Sequence, residues 1–528
     1  MVESPRPVTT DPNPVRLFVS PALAVDPKDP STVVMAVGDA RNGGCGVRVS
    51  QDGGLSWRTT APNLLPPDQD FCIHRNFGPV MAPAFGSDGT LYVAMSGSAT
   101  ATGHPNGPIT PLLARSTDLG LTHDTFTVAK TDGFTYTPPG GGPTRSGFYQ
   151  WRLPSMAVDP TDPNKLYMGW RLWNGGIDDV SFRAFPQRAY IASSSDGGRT
   201  WSDPVDVLRA TFDDAQAAAA GLSFSGDLQT HADTPSMVVG SDGTVYGFTK
   251  ERPNAAQGTP APKSRLFMFR SADGGATWTT KVINDGVDQI DNPSVAISAG
   301  DTLYLTYAAR GARTPTGEPS NPSEAYFTRS TDRGETWSEP MNITDDDPAR
   351  RTDQYFPNVS VAPNGRVDVA WFDFRNDPFF TPGESGNMGT AVGERYWDVY
   401  YAYSNDGGAT WSPNIRATDR MIDGSVGVTF NRSDIRAPIA LASTDKAAYL
   451  AWADSRVGGT TNEAEDAFFT RIRFDQPTPL GTSTGGTNAV AAGFAGAAIT
   501  LVAGGALLLV ALSSSRRGSA SSAARSTP

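Results

Sequence analysis

The 528-residue sequence predicts an all-β protein, a β-propeller of four-stranded antiparallel blades followed by a C-terminal transmembrane helix. Three observations carry that prediction. An eight-residue pattern recurs along the chain, a two-strand unit recurs with it, and one long uncharged segment stands near the C-terminus.

The recurring octet is Ser-x-Asp-x-Gly-x-x-Trp. It reads SQDGGLSW (50–57), SSDGGRTW (194–201), SADGGATW (271–278), STDRGETW (330–337) and SNDGGATW (404–411). A sixth copy, STDLGLTH (116–123), has His123 in the Trp position. The chemistry is that of a tight turn. The Asp carboxylate caps backbone N–H groups, Gly takes positive φ, and Trp packs back onto the sheet. Six copies read as structural staples rather than as six sites.

Each octet ends a longer unit. A short apolar strand opens near a proline, as in PALAV, PSMAV, PSVAI and PNVSV. A turn such as DPTDPNK or GSDGT follows, then a second strand such as VVMAV, LYLTY or VDVAW. A third strand runs into the octet and a fourth follows it. Units start near 21, 79, 154, 235, 293, 357 and 438, so seven blades are expected, with six the alternative. The seventh unit has no octet and no fourth strand, and VRLFV (15–19) is the candidate to fill that gap.

The domains follow from this pattern. Residues 1–14 are an N-terminal extension and 15–475 the propeller. Residues 476–488 form a Pro/Gly/Thr linker, 489–512 the transmembrane helix and 513–528 a cytoplasmic tail. The 489–512 segment carries no charge and is long enough to cross a bilayer, and Arg516 and Arg517 follow it. Basic residues favour the cytoplasmic side, so the propeller is expected outside the cell on a single-pass anchor. The first 15 residues contain no apolar export signal.

Composition narrows the function. A net charge of −12 argues against a nucleic-acid partner. Four dispersed histidines show no metal-ligand spacing, and no Gly-rich phosphate loop or GxSxG elbow occurs. No cofactor is expected. Asp345, Asp346 and Asp347 in TDDDPARRTD lack an EF-hand pattern and read as a solvated loop. Cys45 and Cys72, on one face of neighbouring blades, are expected to pair outside the cell.

Strand alternation sorts the loops between two faces. The octets lie on one. The long insertions 124–150, 171–188, 202–233, 251–264, 311–323 and 376–396 all fall on the other, where function is expected. Three second strands end there in Asp-x-Arg: Asp39/Arg41, Asp373/Arg375 and Asp454/Arg456. Their recurrence reads as bridging between adjacent blades.

The octets, the propeller pattern and the R-L-P motif at Arg152, Leu153 and Pro154 resemble the sialidase (neuraminidase) superfamily over roughly residues 15–475. In that superfamily the R-I/L-P motif opens the first of six blades, and here it opens the third unit. The resemblance implies an exo-α-sialidase-type retaining glycoside hydrolase acting on carboxylate-bearing glycans. An arginine cluster would grip the carboxylate, a glutamate would activate a tyrosine nucleophile, and an aspartate would be the acid/base. Carried onto this chain in order, Arg152 is the first arginine, and Asp178 or Asp179 the acid/base. Glu251 is the base, Arg252 or Arg265 the second arginine, Arg310 the third and Tyr355 the nucleophile. The expected partner is a glycan or glycoprotein, sialylated under this reading. The alternative is a non-catalytic propeller that binds glycan or protein at the cell surface, since a fold alone does not give an activity.

Overall fold

The computed structural model describes the chain to residue 474, apart from 10–12, 14–15, 40, 42, 73–80, 99–107, 131–132, 137–144, 149, 174–187, 213–214, 217–230, 253–262, 288, 311–321, 380–394, 425–438 and 459–463. The chain divides into two units, Met1–Pro477 and Thr478–Pro528. The second unit lies outside the described residues, and with it the 489–512 segment read as a membrane helix. Among the described residues no helix is long and apolar enough to cross a membrane.

Among the described residues of unit one, seven blades form three four-stranded sheets, two five-stranded sheets and one eight-stranded sheet that joins blades seven and one. Blade one comprises Arg16–Val25, Val33–Asp39, Gly44–Ser50 and Arg58–Ala61. Blade three runs from Gln150–Val158 through Leu166–Trp173 and Arg188–Ser194 to Val205–Asp206. Blade five is Gln289–Ile297, Leu303–Arg310, Glu324–Ser330 and Met341–Asn342. Blade six is Gln354–Val361, Val367–Asp373, Tyr396–Ser404 and Ile415–Arg416. The first strand of each blade lies against that of the next, and the first strand of the seventh meets that of the first. The ring therefore has seven blades, not six.

The second strands explain why alternation is weak in the sequence. Leu303–Arg310 is buried at all eight positions. Each face of such a strand packs against a different neighbouring blade, so both sets of side chains are apolar. Trp170, Trp371 and Trp452 sit fully buried on three of these strands.

The octets fasten one blade to the one before. In each, the Ser hydroxyl donates to the Asp and accepts the N–H of the second Gly position, as in Ser404 with Asp406 and Gly408 (both 2.7 Å). The Thr410 hydroxyl and N–H also donate to Asp406 (2.6 and 2.8 Å). The same bonds, led by the Thr277 and Thr336 hydroxyls, hold Asp273 and Asp332 down to about 2. Trp411 then meets Phe327 of blade five edge-on at 4.9 Å, and Trp57 meets Phe469 of blade seven at 5.1 Å.

Ring closure differs from the sequence expectation. VRLFV does not fill the gap in blade seven. Arg16–Val25 is one strand, RLFVSPALAV, which continues through Pro21 into the first strand of blade one. Its backbone pairs with blade seven at Arg16 and Leu17, in a short parallel pairing with Ala464 and Glu465. The fourth strand of blade seven comes instead from the segment read as an extension. Arg6 and Pro7 pair antiparallel with Phe469 and Phe468. The N–H groups of Glu3 and Val8 donate to Arg471 and Ala467. Thr9 and Arg16 both donate to the buried Asp466. The physical reason is continuity: a bulge before the proline bends a first strand without ending it, so VRLFV and PALAV belong together.

Candidate functional site

The bulge that bends the first strands also builds the site. Register breaks between Val19 and Ala22, Arg152 and Ser155, Asp291 and Ser294, and Tyr355 and Asn358. In three of these blades the residue before proline takes positive φ: Ser20 (52°), Asn292 (51°) and Phe356 (53°). Such a conformation is costly for a non-glycine residue, and bulges of this kind re-aim the side chain beside them. The re-aimed position holds Val19, Asp291 or Tyr355, two residues before the proline in each case, and Arg152 occupies the same sequence position in blade three.

At the blade five–six junction the re-aimed residue is Tyr355, only 4 % exposed. Its hydroxyl donates to Asp353 Oδ2 at 2.8 Å. The Arg310 guanidinium donates to that same carboxylate oxygen (3.1 Å) and to the Tyr355 hydroxyl, with its carbon 5.3 Å from the ring centroid. Asp353 is fully buried, and its other oxygen accepts the Ser323 N–H at 2.6 Å. Asp353 and Tyr355 are two apart on an extended segment and so share a side. A phenol hydrogen-bonded to a carboxylate and touched by a guanidinium can lose its proton to the one and have its phenolate stabilised by the other.

Blade four holds a second polar group. Glu251, fully buried, accepts two bonds from Arg265, through Nε and through Nη2 at 2.8 Å. Next to Glu251 in sequence, Lys250 bridges Asp233 (3.3 Å) and Asp291. Asp233 also accepts from Arg171 of blade three at 2.7 Å. The structure thus brings Tyr355 and Arg310 together, and separately Glu251 and Arg265. The carboxylate in the Tyr355 hydrogen bond is Asp353, which the order-based reading passed over. Asp-x-Tyr before a proline is the local pattern, but Asp233, Glu251 and Asp291 stand at comparable places in the sequence. The backbone of Arg152 pairs with Arg171, and that of Arg252 with His231. Asp178 and Asp179 lie outside the described residues.

The Asp-x-Arg pairs close on themselves and reach outward. Arg375 and Arg456 bind Asp373 and Asp454 at 2.8 and 2.7 Å. They also bind Asp345 and Asp419, in the connections from the preceding blades, at 2.6 and 2.5 Å. The Trp371 and Trp452 indoles donate to the same two buried aspartates. Arg41 binds Asp39 at 3.0 Å. These are structural bridges. Cys45 and Cys72 are joined by a disulfide with Cα atoms 5.4 Å apart. Among the described residues no cluster of His, Cys, Asp and Glu could hold a metal ion. Two cavities, of about 500 and 610 Å³, lie in the clefts at blade one and between blades two and three, and neither is lined by Tyr355.

Glu324, at the start of the third strand of blade five, was not picked out by sequence. Burial pushes its carboxyl up to about 7. The Thr344 hydroxyl (2.9 Å) and the Asn342 amide (3.2 Å) oppose that rise, and Asp346 and Asp373 add to it. A raised carboxyl pKa means the folded state favours the protonated form. Its contribution is therefore full below the ordinary value of 4.5 and lost as pH rises through about 7. Urea unfolding is expected to show stability falling from pH 5 to pH 8 by at most roughly 3 kcal/mol from this group. Glu324→Gln should flatten that slope, and an unchanged slope would refute the assignment.

The BNR/Asp-box repeat profile matches residues 402–413, the octet of blade six and its flanks. A probable oligoxyloglucan-reducing end-specific xyloglucanase of Neosartorya fischeri is 23% identical over 76% of this chain and 48% of its own length. A sialidase of Micromonospora viridifaciens is 26% identical over 38% of this chain and 32% of its own length. The chain thus spans about half or less of these curated relatives. Among solved structures, a Hadza microbial sialidase superposes with a TM-score of 0.43 at 14% identity, covering 83% of this chain and 73% of that one. With six Asp boxes in a ring of blades, this chain is an Asp-box β-propeller similar to sialidases and to other glycoside hydrolases.

Proposed function

We propose that the protein is a retaining glycoside hydrolase of exo-α-sialidase type. The observation that carries the reading is the Tyr355 hydroxyl bonded to Asp353 with Arg310 on both. In this reading Tyr355 attacks the anomeric carbon as its proton passes to Asp353. Arg310 stabilises the charge that develops on the phenol oxygen, and water then releases the sugar from the glycosyl-tyrosine. A neutral phenol suits a sugar whose anomeric centre bears a carboxylate, because a carboxylate nucleophile would be repelled. Arg152, the arginine of the R-L-P motif, is the candidate ligand for that carboxylate. Asp178 or Asp179 is the candidate acid/base, protonating the glycosidic oxygen as its bond to the sugar breaks and then taking a proton from the attacking water. The apolar segment 489–512 would hold the propeller on the outer surface of a membrane.

A fluorogenic sialoside tests this directly, alongside aryl glycosides of neutral sugars. Turnover of the sialoside supports the reading. Turnover of a neutral glycoside alone replaces the substrate class. Absence of any turnover, with a sialylated glycan still bound, turns the protein into the non-catalytic binder.

A further inference from the structure

Blade six presents an aromatic surface that the chemistry at Tyr355 does not use. Phe379 is 58 % exposed, and it is the one aromatic among the exposed large apolar side chains of the described residues. Its ring stacks on Tyr396, with centroids 5.8 Å apart and planes 29° from parallel. The Arg395 guanidinium lies 5.0 Å from the Tyr396 centroid and 5.9 Å from that of Phe379. Arg395 is paired with Asp423 through Nε and Nη2, both at 3.2 Å.

These groups are held before any ligand arrives. Asp377, 2 % exposed, accepts the Phe379 N–H at 2.9 Å through one oxygen. Its other oxygen accepts the N–H groups of Arg395 (2.7 Å) and Tyr396 (3.0 Å). One buried carboxylate therefore fixes the backbone on both sides of the 380–394 segment. The Gly424 N–H adds a bond to the Arg395 carbonyl at 2.9 Å. An exposed phenylalanine pinned in this way is costly to leave in water. The surface lies at the same end of blade six as Tyr355, linked to it through buried core side chains. Tyr355 meets Phe374 edge-on at 5.7 Å, and Phe374 meets Trp397 at 6.0 Å. Trp397 is the chain neighbour of Tyr396.

From this arrangement we infer that Phe379, Tyr396, Arg395 and Asp423 form a binding platform for a neutral hexopyranose unit of the glycan. The apolar C–H face of a pyranose ring covers an aromatic ring well, and its equatorial hydroxyls project sideways. Arg395 and Asp423 supply a donor and an acceptor at the edge where those hydroxyls fall. The platform's charges are paired, Arg395 with Asp423, which suits an uncharged sugar better than an acidic one. Under the proposed function this sugar is the one next to the terminal acidic residue, on the leaving side of the scissile bond. That role rests on the hydrolase reading, whereas binding to the platform does not.

The test uses the full chain and lactose and cellobiose as probes, with saturation-transfer NMR and titration of binding. Wild-type protein and Tyr355→Phe should both bind at least one disaccharide. Phe379→Ala should weaken that binding by about tenfold without changing the melting temperature, and Phe379→Trp should restore it. If the parent protein binds neither disaccharide, or Phe379→Ala binds as tightly as the parent, the platform is refuted. If binding depends on Phe379 while no glycoside is turned over, the platform stands and the hydrolase reading falls. Where turnover is found, Phe379→Ala should raise KM only for substrates carrying the neutral sugar. An equal rise for an aryl glycoside that lacks it would place Phe379 elsewhere in the mechanism.

Discussion

Tyr355→Phe is expected to leave a folded protein whose glycoside turnover has dropped by at least about a thousandfold. The change removes one oxygen. Arg310 and Asp353 keep their ion pair, and Asp353 keeps the Ser323 N–H, so no buried charge loses its partner. The stability cost is therefore about 1 kcal/mol, the worth of a neutral hydrogen bond. Asp353→Asn makes the complementary change. It preserves an acceptor for the phenol but removes the base, and it leaves Arg310 short of its counter-charge. Turnover by this variant should fall as well. A Tyr355→Phe protein with kcat within tenfold of the parent would remove the tyrosine from the chemistry and with it the sialidase-type mechanism.

The second large effect concerns the scaffold. Gly408→Ala in the Asp box of blade six should destabilise the protein by about 3 kcal/mol. Gly408 has φ +89°, and a Cβ there would stand 2.3 Å from the Phe327 ring of blade five. Backbone strain and overpacking act together. Gly365 supplies the control. Its φ is +88°, yet a Cβ would meet nothing within 4 Å, so Gly365→Ala pays the backbone term alone, about 1 kcal/mol. Chemical denaturation of the two variants separates the terms. Equal losses would mean that the box glycine is needed only for its dihedral angle and not for the contact between blades.

The architecture was legible because it is repeated. Six Asp boxes and seven proline-led strands vote on the same fold, so one degenerate copy, such as the His123 box, does not obscure it. The ring closure was not legible, because it happens once. Residues 2–9 carry no box, no proline-led strand and no repeat partner, and only their pairing with Ala464–Arg473 reveals the role. The site shows the same division. Arg310 and Tyr355 were found from their positions at blade ends. Which carboxylate each basic or phenolic group chooses was not readable, because several acids lie at comparable chain positions: Asp233, Glu251, Asp291 and Asp353. The choice is made by bulge geometry and burial. Asp353 wins Tyr355 because the two alternate onto one side of the same segment, while Glu251 meets Arg265 across a strand pair.

The way blade seven is completed also sets an order of events. Its outer strand comes from the beginning of the chain and its third strand from residues 464–473, so the Thr9–Asp466 bond spans 457 positions of sequence. Contacts that distant are the slowest to form, since nearly the whole chain must be ordered before they contribute. During synthesis residues 2–9 must therefore wait, unpaired, until residue 473 has left the ribosome. Six blades can assemble as they appear, and the last fastening sets the moment at which an open arc becomes a closed ring.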